Sequence, residues 1–402
     1  MTKPPRFPGW SVVWVAFAVA TCAWGISFYG PSVFLQTLHT TRGWSIATIS
    51  SAITAHFLIS AVIVSQLPSI HGRFGLAHAT SAGIIVSAIG IVAWASVAEP
   101  WQLFGAALLT GAGWALTSGA AINAMISRWF DRDRPQALSM AFNGASVGGI
   151  VIAPLWVFLI AWMGYQNAAV MLAAAMLIIV VPLIQRHLKS TPADLGLAVD
   201  GGPLAAATSA PKSPPALTRS ALIADRRFVT LSAAFALGLF AQIGIVAHLI
   251  TRLAPDIGAG LAASAVSLVA TAAIVGRTIL GWLIGARDRR IAAALNFLLQ
   301  ACGVALLSIG TGLPALALGC ILFGLGVGNM ISLPPLIAQK EFERGDVATV
   351  VALATAINQA VFAFAPGIIG TLRDATASYT VPFLLAAILQ FASAAIVVMG
   401  RK

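Results

Sequence analysis

Twelve stretches of about twenty or more mostly apolar residues follow one another along this chain. They lie near 10–38, 44–68, 76–98, 101–127, 135–163, 165–185, 228–253, 261–284, 291–310, 312–338, 346–372 and 379–399. An α-helix rises about 1.5 Å per residue, so each stretch is long enough to cross a hydrocarbon core roughly 30 Å thick. With 59% hydrophobic residues, 9% charged residues and a mean hydropathy of +0.93, a soluble globular domain of 402 residues is excluded. The expected fold is an all-α, twelve-span membrane protein.

In a soluble protein the net charge of +11 would point to nucleic acid. Its distribution gives it another meaning here. With the N-terminus in the cytoplasm, 19 of the 23 Lys and Arg residues, among them Lys3, Arg6, Lys212 and Lys402, fall on the cytoplasmic side. Arg42, Arg252 and Arg373 fall outside, and Arg277 falls in the membrane. Basic loops stay cytoplasmic, so both termini are expected there, in the cell's inner (plasma) membrane, with no nucleic-acid partner. No cleavable signal is expected, because the first apolar run is too long and lacks a small-residue cleavage site. Cys22, Cys302 and Cys320 lie within the apolar stretches and read as small packing residues, without disulfides.

One segment breaks the apolar rhythm. Between Arg186 and Phe228 the chain turns to Pro, Ser, Ala, Lys and Asp, a composition that cannot bury enough surface to fold alone. It reads as a cytoplasmic linker over 187–227, dividing six spans in 1–186 from six in 228–402. The other reading is a small ordered cap. The halves echo each other: Asn143 and Asn358 stand in the fifth span of each half, followed by Pro154 and Pro366, and a slide of 217 residues sets Gly43 against Gly260 and Ser60 against Arg277. Such weak repeats are what a two-bundle transporter shows, with its substrate site at the midplane.

Arg277, in SLVATAAIVGRTILGWL, is the single charged residue deep inside any of the twelve stretches. A guanidinium at membrane depth costs from roughly 3 to more than 10 kcal/mol and cannot escape by losing its proton. Such a cation needs an anion, and no carboxylate lies at that depth in the sequence, so the anion is expected to be the cargo. His56, near the middle of its own span, either carries a proton or donates to a carboxylate, or is a neutral imidazole bonded to a neighbouring helix. Asn123, Asn143, Asn329, Asn358 and Gln359 either bond cargo or join helices, with Asn143 and Asn358 the preferred cavity residues. Tyr29 ends the first span, where an interfacial aromatic is the plain expectation. Gly144-x-x-x-Gly148 is a spacing that lets helices approach closely.

Six plus six spans around a linker, with RGWSIATIS, ISRWFDRDRPQALSMAFNGASVGG and AIVGRTILGWLIGARDRR, resemble the major facilitator superfamily, and within it the branch of monocarboxylate transporters and oxalate–formate exchangers. The resemblance covers nearly the whole chain. It implies two pseudo-symmetric six-helix bundles, a substrate carboxylate bound by the eighth-span Arg, here Arg277, and a cavity to which the first span contributes near Tyr29. Some family features are absent. Gly72 and Gly285 stand where the superfamily's loop motif places an acid, so Asp131, Asp133 and Asp288 are the candidates for ion pairs at the inner ends. The eleventh span has no Lys and Ala273 precedes Arg277 by one turn, which favours a monocarboxylate over a dicarboxylate.

Enzymatic readings find no footing. No Gly-x-x-x-x-Gly-Lys-Ser/Thr loop surrounds any of the five lysines, no Cys/His set has metal spacing, and no carboxylate pair lies in the spans. No cofactor is expected. The expected function is secondary transport of small organic monocarboxylate anions with protons, with anion exchange, export of drugs or metabolites, and a non-transporting sensor as the alternatives. The expected partners are the anion, protons and the lipid bilayer, with the chain acting as a monomer.

Overall fold

The structure is a computed structural model that describes residues 7–202, 217–285 and 287–401. Lys3, Arg6, Lys212, Lys402 and the 203–216 part of the linker lie outside the described residues. No β-strand occurs among the described residues, and 11 helices are long and apolar enough to cross a membrane, or 12 when one bent pair counts as a single span. The chain is an all-α, multi-pass membrane protein, as its apolar stretches predict.

Two compact units divide it, one made of Met1–Ala216 with Glu343–Ala352 and the other of Leu217–Phe342 with Leu353–Lys402. The first contains α1 (Gly9–Ala23), a π-helical turn (Trp24–Phe28), α2 (Gly30–Arg42), α3 (Ile46–Ser65), α4 (Leu67–Phe74), α5 (Leu76–Ser96), α6 (Gln102–Thr117), α7 (Gly119–Ser127), α8 (Arg134–Val147), a second π-helical turn (Gly148–Ile152), α9 (Ala153–Met163) and α10 (Tyr165–His187). The second contains α11 (Arg219–Ala224), α12 (Arg226–Ile257), α13 (Ala259–Leu283), α14 (Arg289–Ile309), α15 (Leu313–Val327), α16 (Asn329–Glu341), the later turns of α17 (Val347–Phe362), α18 (Ala365–Thr376) and α19 (Thr380–Met399).

Several apolar stretches that read as single spans are broken pairs of helices. The second turns by 61° between α3 and α4, and Pro68 stands in the first turn of α4, where its missing N–H is no loss. Pro154 and Pro366 occupy the corresponding first turns of α9 and α18, so the echo between the halves extends to where their fifth spans break. Gly144 and Gly148 bring α8 against α1: a Cβ on either would collide with the carbonyl of Phe17 or Thr21, so the small-residue spacing serves a backbone-to-backbone approach.

The first part of the linker is more ordered than its composition suggests. Residues 188–202 carry two short 3-10 turns, and Asp200, at φ 62°, sets its carboxylate against the 129–133 turn. That carboxylate accepts the backbone N–H groups of Asp131, Arg132 and Asp133 at 3.1, 2.9 and 3.4 Å, while the Asp200 N–H donates to Trp129 O at 2.9 Å. Successive N–H groups converging on one anion supply the anchorage that the segment's own apolar content cannot.

Arg290, which the sequence places in a basic loop, is buried. Its five donors all find acceptors: Nε and Nη2 fork onto Glu341 at 2.6 and 2.8 Å, Nη1 donates to Thr230 Oγ1 and Val397 O, and Nη2 also reaches Arg227 O. The cluster ties α12, α14, α16 and α19 together at one end of the second unit. Of the three acids, Asp131 pairs with Arg344 at 2.6 Å, Asp133 with its chain neighbour Arg132 at 3.0 Å and Asp288 with Arg401 at 2.8 Å.

Candidate functional site

α13 carries Arg277 in its second half, six residues before its end at Leu283, in a mostly apolar helix long enough to cross whatever the guanidinium costs. The residue is 3% exposed, and its Nε–H donates to Gly328 O at 2.8 Å. Gly328 marks the break between α15 and α16 and sits directly on α13. A Cβ there would collide with Ala273 O and stand 2.8 and 3.0 Å from Nη2 and Cζ of Arg277. The glycine therefore does two things at once: it supplies the carbonyl that orients the guanidinium plane, and it leaves the volume the guanidinium fills. Nothing in the spacing of Arg277 and Gly328, 51 residues apart, signals this partnership.

Around this pair the second unit holds further polar groups. Asn329 donates to Asn296 Oδ1 at 2.8 Å and to Leu325 O at 3.2 Å, and Asn296 donates to Gly326 O at 3.1 Å, so Asn329 joins helices. Asn358 is buried in α17, and its Oδ1 has no hydrogen-bond partner among the described residues. A buried carbonyl oxygen without a donor is a position where a ligand hydroxyl or water gains a full hydrogen bond.

The first unit holds the other expected site residues. His56 is buried where α3 meets α6, with Nδ1 2.9 Å from Thr110 Oγ1, and the same hydroxyl accepts the Trp94 Nε1–H at 3.2 Å. The contact is backbone-close, since a Cβ on Gly111 would collide with His56 O. Nδ1 thus fastens α3 to α6, while Nε2 is buried with no hydrogen-bond partner among the described residues. Tyr29 stands at the end of the π turn with its ring over Gly149, 2.7 Å from where a Cβ would be, and so packs against the break in the fifth span. Asn143 is buried in α8 one residue before Gly144. Asn123 accepts from Arg134 Nη2 at 2.7 Å, which gives it a structural duty within the unit. Thr110 and Gly328 have no signal of their own in the sequence.

Many membrane-crossing helices, several broken at glycine or proline, with a guanidinium buried in mid-span, make up the architecture of a membrane transporter. A family model of the Major Facilitator Superfamily matches residues 13–366, and the chain belongs to that superfamily. Among curated proteins it is similar to monocarboxylate transporter 11 of Mus musculus, 27% identical over 413 residues covering 96% of this chain and 87% of that protein. It is also similar to monocarboxylate transporter 13 of Bos taurus, 27% identical over 329 residues covering 78% and 71%. Among solved structures it is similar in fold to the human organic anion transporter MFSD10 (TETRAN), with a TM-score of 0.73 at 14% identity over 98% of this chain and 100% of that one. The E. coli fucose:proton symporter FucP is similar too, with a TM-score of 0.68 at 15% identity over 98% and 99%.

Proposed function

We propose that the protein carries small organic monocarboxylate anions across the membrane by alternating access, with Arg277 as the group that holds the carboxylate. Arg277 itself carries this reading: a permanent cation buried within a membrane-crossing helix, with its Nε held by a neutral backbone carbonyl. Its planar fork matches a carboxylate in a bidentate pair, which adds geometry to charge. The names of the relatives, monocarboxylate transporters, support the substrate class. On this reading Asn358, Asn143 and Tyr29 bond or enclose the substrate, and the apolar helices around them accept its short carbon tail.

Proton symport is the coupling we favour, because moving a lone anion inward against the membrane potential costs about 2.3 kcal/mol per 100 mV. The place of His56, fastened to Thr110 in the first unit, supports a route in which the proton rides with the substrate. Both termini lie in the cytoplasm, at the plasma membrane, and the chain works as a monomer. The test is uptake of labelled pyruvate and lactate into proteoliposomes. Arg277→Ala should abolish binding and uptake, and Arg277→Lys, which keeps the charge and loses the fork, should lose most of both. Undiminished anion binding by folded Arg277→Ala would remove the central claim.

A further inference from the structure

A groove of about 360 Å³ runs along the second unit, unrelated to the side chain of Arg277. Its walls are α13 and α14, which both pack on α15 and leave the channel between them. On α13 the lining runs from Gly276 through Leu280 to Leu283, with Ile284 and Arg287 beyond its end, and on α14 from Ala292 to Leu299. At about 1.5 Å per residue, Gly276 to Leu283 and Ala292 to Leu299 each measure roughly 10 Å, long enough for the first several carbons of an acyl chain. The lining is apolar and exposed: Leu283 and Leu295 are 56% and 62% exposed, as expected of a face turned to lipid. The two asparagines on the floor spend their N–H groups on each other and on backbone, which leaves the floor few donors for a polar ligand.

The charge at one end selects the occupant. Arg287 closes the groove and is exposed, with one of its five donors used on Leu283 O at 2.8 Å. Among the described residues no carboxylate pairs with it: Asp288, beside it, is engaged by Arg401, and Glu341 by Arg290. An apolar channel that ends at a guanidinium with no carboxylate partner among the described residues is complementary to a lipid whose tail is followed by a negative head. We propose that this groove is a binding site for an anionic phospholipid, with one acyl chain between α13 and α14 and the phosphate at Arg287. Gly276 and Asn329 line the groove, and each is the chain neighbour of a member of the Arg277–Gly328 pair, so a bound lipid braces the helices that hold that pair.

Native mass spectrometry of the full chain in detergent, with added phosphatidylglycerol or chain-matched phosphatidylcholine, tests the proposal without any reference to transport. The wild type should retain phosphatidylglycerol at least about five-fold better than phosphatidylcholine, the factor expected of one cationic residue near an anionic head. Arg287→Gln should erase that preference and Arg287→Lys should keep it. Ala292→Phe, which fills the mouth of the groove, should lose the bound lipid altogether. Equal retention of the two lipids by the wild type would overturn the proposal. So would an unchanged preference in Arg287→Gln, a surface substitution that leaves folding intact, or occupation of the groove by a co-purifying single-span protein.

Discussion

Replacing Gly328 with Ala should separate the packing of the second unit from the binding of substrate. The new methyl would collide with Ala273 O and stand 2.8 Å from Arg277 Nη2, so α16 must shift or the guanidinium must leave its place. Overpacking of this kind costs about 1–3 kcal/mol of stability. Displacing the guanidinium adds a second loss, confined to binding. A hydrogen bond to a charged group contributes about 1.5–3 kcal/mol, and misplacing one such bond to the substrate should weaken affinity by about 10- to 150-fold. Gly324→Ala is the control. Its methyl would meet Val269 O and Ala272 Cβ, both at 2.8 Å, in the same α13–α15 contact but away from Arg277. The two variants should lower the melting temperature in detergent similarly, while only Gly328→Ala loses the stabilisation that added pyruvate or lactate gives the wild type. If both variants retain that ligand-induced shift, or both lose it equally, the argument that Gly328 positions Arg277 is wrong.

Thr110→Val removes the hydroxyl shared by His56 and Trp94 and should lower stability by about 1–3 kcal/mol, because two buried groups lose a partner. His56→Gln should leave the ratio of proton-driven uptake to substrate exchange unchanged in one vesicle preparation; a selective loss of proton-driven uptake would return the proton to His56. The Asp225 carboxyl is held below its usual range, first by the hydrogen bond from the Arg227 side chain, 2.6 Å away, with burial acting in the opposite sense. A depressed carboxylate stabilises the fold fully above its unfolded value of about 4 and loses that contribution as pH falls through the depressed one. Asp225→Asn should therefore flatten the acid limb of a stability–pH curve, and an unaltered limb would show that the pair is not coupled to folding. Cysteines introduced at Ser190 and at Glu99 should react with impermeant reagents from the cytoplasmic and outer sides respectively, and the opposite pattern would invert the topology.

The cost of putting charge in hydrocarbon is local and nearly additive along a chain, so what depends on it could be read directly. The helical spans, the basic bias of the loops and the isolation of Arg277 in SLVATAAIVGRTILGWL are of this kind. The breaks at Pro154 and Pro366 were half legible, because proline tells where a helix restarts but not how far it bends. Arg290 was not legible, since RDRR reads as an exposed loop and only the convergence of Glu341, Thr230 and Val397 takes its guanidinium out of water.

Composition over a window is enough to tell that this chain crosses a membrane many times and carries Arg277 inside one of the crossings, because hydrophobicity adds along the chain. Which way each side chain faces is set by packing in three dimensions. Helices that are apolar all round carry no stripe from which a buried face can be deduced. The Arg277 contact with Gly328, the His56 contact with Thr110 54 residues away and the docking of Asp200 on the 129–133 turn depend on how helices and turns pack against one another, and that is set by glycine clearances and hydrogen-bond geometry in three dimensions.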